Sequence, residues 1–435
     1  MIELGILADD LTGGMMVASL LESEGVECPL VSSIDGLADV AKSDAQAVVV
    51  ARKIRLIDAD MAAREAERTV RALQDIGCSR FYYKYCATFD STEKGNIGPV
   101  AEAMLEAVGG RYTLFCPAFP RHTVTVFQGR MFIGSTPLGK SFKRNDPVTP
   151  MMKSNLVEVL QAQSTKEVGL LSHGLLLRGN KAIEEYLDRP DAPALYVADS
   201  ADDEDLVRIA DFALDWPLTT GADALPVFLA RAWQRRGTRE TLRKPRTLLP
   251  ASPGREAIIA GSCAPPTLRQ LRYFEERHPV FWIDLLEAAN SPEYVSKVLQ
   301  WTTERIDQQP VAVASSADAD ELKRTQGVLG REGAAQLADR ILGKVAEGLY
   351  AQGVRKFVVA GGETSGQVIN SLRISKVEVT AFDELGGGYC HRGGPDPVSF
   401  VLKAGALGQE DFFFTALDRM RLADGIKEDT TVLNG

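Results

Sequence analysis

Short runs rich in β-branched residues alternate with helical stretches along nearly the whole chain, the pattern of α/β units built on mainly parallel sheets. In the first half the expected strands are Glu3–Ala8, Ala47–Ala51, Arg80–Tyr85, Tyr112–Cys116, Glu167–Leu171 and Leu195–Ala198. Helices are expected at Gly14–Ser23, Ala59–Leu73, Pro99–Val108 and Ile183–Leu187. In the second half the expected strands are Ala257–Gly261, Val280–Asp284, Val311–Ala314, Lys356–Ala360 and Val377–Phe382, with a helix at Gly366–Leu372. At 435 residues the chain exceeds one ordinary core, so two α/β domains are expected, with an active-site cleft between them. The alternation breaks between Arg235 and Arg255, where basic residues, Pro245, Pro250 and a Ser252-Pro253-Gly254 turn take over. The expected division is therefore 1–236, a linker at 237–256, and 257–435.

A net charge of −10 argues against a nucleic-acid binder, whose footprint is a basic face. No window of about twenty residues is apolar enough to span a membrane, and the N-terminus carries no secretory pattern. The six cysteines (28, 78, 86, 116, 263 and 390) are scattered without paired metal spacing, which fits a reducing cytoplasm. Only four histidines are present and none pairs with a cysteine at ligand spacing, so a zinc site is not expected. The sequence leaves any metal ligand unknown.

Several strand exits concentrate polar chemistry. The run Lys84–Pro99 holds Lys84, Asp90, Ser91, Thr92 and Asn96 between a strand and a helix, where a small polyhydroxylated anion can be held. The alternative is an Asp-Ser-Thr helix cap followed by a turn. Asp9-Asp10 ends the first strand; successive side chains diverge there, so one of the pair faces a ligand and the other caps a helix. Arg52, Lys53 and Arg55 follow the second strand and suit a carboxylate or phosphate, or else form a solvated loop.

In the second half, Gly361-Gly362-Glu363-Thr364-Ser365-Gly366 lies between a strand and a helix, where glycines let backbone approach a phosphate. It lacks the Gly-Lys-Ser/Thr end of a Walker loop and is not Gly-x-Gly-x-x-Gly. Ala260–Ala264 and Leu402–Gly408 are two further exits stripped of bulk, contributing Ser262 and Gly405. The Pro117–Asn155 segment is long for a connection, and its apolar anchors mark an ordered excursion bordering a site.

These residues resemble the four-carbon acid sugar kinases, formerly an uncharacterised family, from Leu4 to about Leu417. The resemblance is carried by LADDLTG, FDSTEKGNIGP, PAFP with FQGRMFIG, RNDPVTPM, and GGETSG with LKAGALGQEDFF. The Tyr-Cys-Ala-Thr-Phe-Asp-Ser-Thr phrasing is most similar to the 3-oxo-tetronate kinase branch; threonate kinases usually carry a shorter Lys-Lys-x-Asp-Ser-Thr version. The resemblance implies an N-terminal domain binding the sugar acid through Asp10, Arg55, Lys84, Asp90, Ser91, Thr92 and Asn96. It likewise implies a C-terminal domain binding ATP, with Mg2+, through Ser262, Gly361, Gly362, Glu363, Thr364 and Gly405. The chain departs from the family pattern in three places. Gly14-Met15-Met16 stands where Ala-x-Asp is usual, Arg121–Thr125 replaces Glu-Asn-Gly-Arg-Thr, and Gly386–His391 replaces a segment with Pro-Trp.

The expected reaction is in-line phosphoryl transfer from ATP to the terminal hydroxyl of 3-oxo-tetronate, or of D-threonate or erythronate. Asp10 or Asp90 would take the hydroxyl proton, while Arg55 and Lys84 hold the substrate carboxylate. Expected partners are the sugar acid, ATP and a second copy in a homodimer, with neither nucleic acid nor membrane. Two other classes compete. A non-catalytic sugar-acid or nucleotide sensor would fit the missing carboxylate at position 16, and a dehydrogenase would need a Gly-x-Gly-x-x-Gly that is absent.

Overall fold

The computed structural model describes residues 2–146, 148–237, 243–382, 387–405 and 407–425. Of the expected linker, residues 238–242 lie outside the described residues, as do Gly386, Ala406 and the stretch 426–435. The chain forms two compact units, Met1–Pro245 and Arg246–Gly435.

In the first unit the main-sheet strands are β1 (Leu4–Ala8), β2 (Leu30–Val31), β3 (Ala47–Ala51), β4 (Arg80–Lys84) and β5 (Thr113–Cys116). Strands β6 (Val124–Phe127), β7 (Arg130–Ile133) and β8 (Thr136–Pro137) form a separate antiparallel sheet inside the Pro117–Asn155 excursion. The chain then returns as β9 (Val168–Leu171), β10 (Leu195–Ala198) and β11 (Leu218–Gly221). The main sheet runs β2-β3-β1-β4-β11-β5-β10-β9 and every pairing in it is parallel. All five residues of β1 and of β3 are buried, as expected of strands covered on both faces. Gly14 allows one of those covers to sit close, since a Cβ there would stand 3.1–3.2 Å from Ala8, Val49 and Ala51.

The second unit contains β12 (Arg255–Ala260), β13 (Val280–Trp282), β14 (Val311–Ala314), β15 (Val354–Ala360), β16 (Lys376–Val379), β17 (Gly388–Arg392) and β18 (Val398–Lys403). Its order is β13-β14-β12-β15-β18-β17-β16, parallel through β18 and antiparallel at the last two pairings. One face packs on Phe274, Leu271, Phe412, Phe413, Leu417 and Met420 from the helices Pro265–Glu275 and Phe412–Gly425.

Three local expectations change. β11 was not expected, because Leu-Thr-Thr-Gly between a proline and an Ala-Asp turn offers little apolar pattern. Its centrality comes from tertiary pairing with β4 and β5. The first helix begins at Leu11 rather than Gly14, since Asp10 caps it by accepting from Gly13 N at 2.8 Å. The helix expected from Gly366 spans Gly362–Ser371, so Glu363, Thr364 and Ser365 form its first turn.

The small antiparallel sheet is anchored by one carboxylate. Asp199, fully buried just after β10, accepts from Gln128 N at 2.9 Å, Gly129 N at 2.8 Å and His173 N at 2.9 Å. Asp199→Ala orphans three backbone donors, two of them at the β6–β7 turn. A loss of about 2 kcal/mol or more is expected, read as roughly thirtyfold faster hydrogen exchange at Gln128 and Gly129. Unchanged exchange at both would show that the turn holds itself.

Candidate functional site

In the first unit the charged residues gather at the carboxyl ends of four adjacent strands, β3, β1, β4 and β11, the edge where open α/β sheets bind ligands. Asp9 is buried and takes the Arg55 fork in full, Nε to Oδ2 at 2.7 Å and Nη2 to Oδ1 at 2.8 Å. The same Nη2 lies 3.2 Å from Asp10 Oδ1. Arg55 therefore meets a ligand only through Nη1. Burial opposes its charge, yet Asp9 and Asp10 hold the guanidinium protonated well above its usual range. Burial raises the Asp9 carboxyl, with Arg55 pulling the other way.

Lys84, the last residue of β4, is buried with its Nζ 3.3 Å from Asp223 Oδ1. Burial again works against the ammonium, but Asp223, Asp10 and Asp9 more than offset it, and its pKa lies above the ordinary lysine value. Gly13 makes room for this amine, because a Cβ there would collide with Lys84 Nζ and Asp10 Oδ1. Asp10 gives Oδ1 to Gly13 N and Arg55, and its Oδ2 has no hydrogen-bond partner among the described residues.

A second group forms around Asp90, which accepts from Thr88 Oγ1 at 2.7 Å, Lys143 Nζ at 2.8 Å and Cys86 Sγ at 3.2 Å. Phe89 just before it has φ +53°, a strained conformation for an aromatic residue, held by full burial against Tyr85. Cys86 lies within the fields of Asp90, Arg55 and Lys84, which places it between the two groups; burial, then Asp90, pushes its thiol up to about 11.

The remaining residues expected at this site are engaged by the protein's own groups. Ser91 Oγ accepts from Gln163 Nε2 at 3.1 Å, and Gln163 also holds Thr92 O and Gly98 N. Thr92 Oγ1 accepts from Lys94 N at 3.3 Å. Asn96 donates to Ile54 O at 2.5 Å and Ile57 O at 3.2 Å, fixing the loop that carries Arg55. Ser91 and Thr92 also border a cavity of about 370 Å³ shared with Lys94, Met151, Met152 and Lys153. In the basic run, Arg52 is engaged with Glu65 at 2.5 Å and Ser32 O at 3.2 Å.

In the second unit the carboxyl ends of β14, β12, β15 and β18 stand side by side and lack bulk. Gly361 has φ +129° and donates to Lys403 O at 2.9 Å, turning the chain into the helix Gly362–Ser371. A Cβ at Gly261 would collide with Thr364 Oγ1, and one at Gly405 with Ser262 Oγ. Ser262 Oγ accepts from Ala264 N at 3.2 Å, and Glu363 is exposed in the first helical turn. At the end of β14, Ser315 Oγ and Ser316 Oγ are buried with no hydrogen-bond partner among the described residues. Close backbone approach, a helix N-terminus and orphaned hydroxyls fit a nucleotide's phosphates. Among the described residues no group of three or more His, Cys, Asp and Glu side chains could hold a metal ion.

A model of a sugar-binding N-terminal domain matches residues 4–228, and a model of a nucleotide-binding C-terminal domain matches residues 257–413. The chain belongs to the four-carbon acid sugar kinase family. It is similar to the 3-oxo-tetronate kinase of Burkholderia multivorans, 38% identical over 424 residues covering 97% of each chain. The 3-oxo-tetronate kinase of Pseudomonas fluorescens is 37% identical over 96% of this chain and 97% of that protein. The crystal structure of a Haemophilus influenzae protein superposes with a TM-score of 0.77 at 29% identity, covering 96% of this chain and 100% of that one.

For this member of the four-carbon acid sugar kinase family, sequence reasoning missed Asp223 and Lys143. Asp223 follows the unexpected strand β11. Lys143 meets Asp90 across 53 residues of sequence from inside the excursion, so no local pattern announces it. If Asp223 keeps Lys84 charged against burial, Asp223→Asn should move the Lys84 pKa below that of the wild type. The ammonium would then be lost at lower pH on the alkaline side, as NMR titration of the labelled lysine would show. An unmoved titration would mean that Asp9 and Asp10 suffice.

Proposed function

We propose that this chain is an ATP-dependent kinase that phosphorylates the terminal hydroxyl of a four-carbon acid sugar, 3-oxo-tetronate being the best fit. The arrangement of Asp10 carries the reading. Its Oδ1 is pinned by Gly13 N and Arg55, its Oδ2 has no hydrogen-bond partner among the described residues, and its charge acts on the buried Lys84. Such a carboxylate can accept a proton from a hydroxyl whose neighbouring carboxylate rests on a cation. The relatives named 3-oxo-tetronate kinase, matched along nearly their whole length, support the choice of acid.

In this reading Lys84 and the free Nη1 edge of Arg55 meet the substrate carboxylate. Asp90, steadied by Lys143 and Thr88, accepts from a hydroxyl further along the carbon chain. Asp10 receives the proton of the terminal hydroxyl as that oxygen bonds to the γ-phosphorus and the bond to the departing ADP breaks. Bound ATP would supply the phosphoryl group, and Mg2+ would neutralise charge on it. Mg2+ commonly needs one or two carboxylates at most, so a dedicated cluster is not required. Ser262, Gly361, Gly362, Thr364 and Gly405 would hold the phosphates, with Glu363 at the rim. The reading extends to a cytoplasmic setting, supported by six free cysteines.

A coupled ADP-release assay over 3-oxo-tetronates, threonates and erythronates tests the function, with fastest turnover expected on a 3-oxo-tetronate. Turnover on none of them, with nucleotide and acid both bound, would favour the non-catalytic sensor instead. Asp10→Asn keeps a good helix cap, so folding should survive while turnover falls by about 10²–10⁴-fold and ADP affinity stays as in the wild type. An active Asp10→Asn enzyme would transfer the base role to Asp90.

A further inference from the structure

Lys403 closes β18 with its side chain 1% exposed, and among the described residues no carboxylate pairs with it. Its Nζ donates to Thr267 Oγ1 at 3.0 Å and Gly405 O at 3.3 Å, both neutral acceptors, and lies 5.9 Å from the Phe412 ring centre. The other buried lysines described each have an acid. Lys84 has Asp223, and Lys356 has Asp424. A buried ammonium without a counter-charge is costly, and such groups concentrate at functional sites.

Holding the loop does not explain the charge. Thr267 Oγ1 already donates to Gly405 O at 2.8 Å, and Gln270 Nε2 donates to Leu407 O, Gly408 O and Gln409 O at 2.9–3.0 Å. Neutral groups thus tie Gly405, Leu407, Gly408 and Gln409 to the helix Pro265–Glu275. What Lys403 adds is positive charge, at the strand end whose carbonyl accepts from Gly361 N and beneath the turn that brings Gly405 against Ser262.

We propose that Lys403 supplies the counter-charge of a bound nucleoside polyphosphate: a buried cation at the base of the Gly405 turn that is neutralised by the phosphates at residues 361–364. The inference rests on the reading of those residues, with Ser262 and Gly405, as the nucleotide site. Burial alone lowers the Lys403 pKa to about 8. Among the described residues no charged side chain is paired with it: β17 sets Gly388 beside Leu402, with its one charged residue, Arg392, at the far end opposite Val398, and Glu363 of the helix Gly362–Ser371 is exposed. β15 presents Ala360 opposite it, the helix Phe412–Gly425 presents Phe412, and Arg269, Arg272 and Glu275 of the helix Pro265–Glu275 are exposed, as is Glu276 just after it. An arriving polyanion favours the charged amine and raises its pKa. Binding therefore takes up a proton near and above pH 8 and weakens as the pH climbs past that value.

Calorimetric titration of the full chain with ADP between pH 7.0 and 9.5, in buffers of different ionisation enthalpy, reads both effects. The wild type should show proton uptake near pH 8.5 and roughly tenfold weaker binding at pH 9.5 than at pH 7.0, as a one-unit pKa shift requires. Lys403→Met should bind roughly tenfold more weakly at pH 7.0, without uptake and with a flat pH dependence. Lys403→Arg, charged throughout, should recover affinity at pH 7.0 and stay flat to pH 9.5. Cys263→Ser, which removes the thiol at the neighbouring exit, should keep the uptake.

A wild type that binds ADP with no proton uptake, or a Lys403→Met variant with wild-type affinity at pH 7.0, overturns the proposal while leaving the nucleotide site standing. If Lys403→Met does not fold, the wild-type uptake and the Lys403→Arg profile decide between the same outcomes. A folded wild type that binds neither ADP nor ATP overturns the nucleotide reading and the proposal together.

Discussion

The two parallel bonds between Arg55 and Asp9 are the contact on which the first site depends. They join the end of β1 to the loop after β3, and they are buried on the Asp9 side. Removing either partner would strand a charge in the interior, a far larger penalty than the net gain of forming the pair. Because Asp9 absorbs the guanidinium fork, its neighbour Asp10 is left half open. The expected split between a capping and a ligand-facing carboxylate is not what forms: Asp9 is spent on Arg55, while Asp10 both caps the helix and keeps Oδ2 open.

The charge balance of the two units differs in kind. Around Lys84 and Arg55 stand Asp9, Asp10 and Asp223, three carboxylates to two cations. That excess suits a ligand carrying one carboxylate and several hydroxyls, since hydroxyls donate to carboxylates while the single anionic end meets a cation. In the second unit the exits present backbone N–H groups, small residues and a lysine without an acid. A polyanion is the natural complement there. The contrast follows the domain division and agrees with a sugar-binding model on one side and a nucleotide-binding model on the other.

Much of this was legible in the sequence, because strand exits announce themselves where β-branched runs stop at small or charged residues. The Asp9-Asp10 end, the basic loop and the glycine turn at 361–362 were all visible that way. What escaped had no local signal. Thr219 and Thr220 are buried in β11 because the neighbouring strands accept them, with Thr220 Oγ1 donating to Leu114 O at 2.8 Å. Missing β11 hid Asp223 as well. The sequence places residues 362–365 in a loop, because glycine, threonine and serine are poor helix formers. Tertiary burial of Thr364 and Ser365, with Ser365 Oγ donating to Gly361 O at 2.7 Å, overrides that preference.

Backbone strain marks the same region from another direction. Four described non-glycine residues have positive φ, and three of them, Phe89, Thr123 and Gln128, lie between Lys84 and the β6–β7 turn. Each costs on the order of 1–3 kcal/mol and persists only where its surroundings over-determine it. Here they do. Phe89 is wedged against Tyr85, Thr123 donates its N–H to Pro120 O, and Gln128 N is taken by the buried Asp199. The strained turn at Phe89 sends Asp90 toward Lys143, while the turn at Gln128 closes the hairpin whose excursion delivers Lys143. Two strained turns from different parts of the chain thus converge on one ion pair, Asp90 with Lys143.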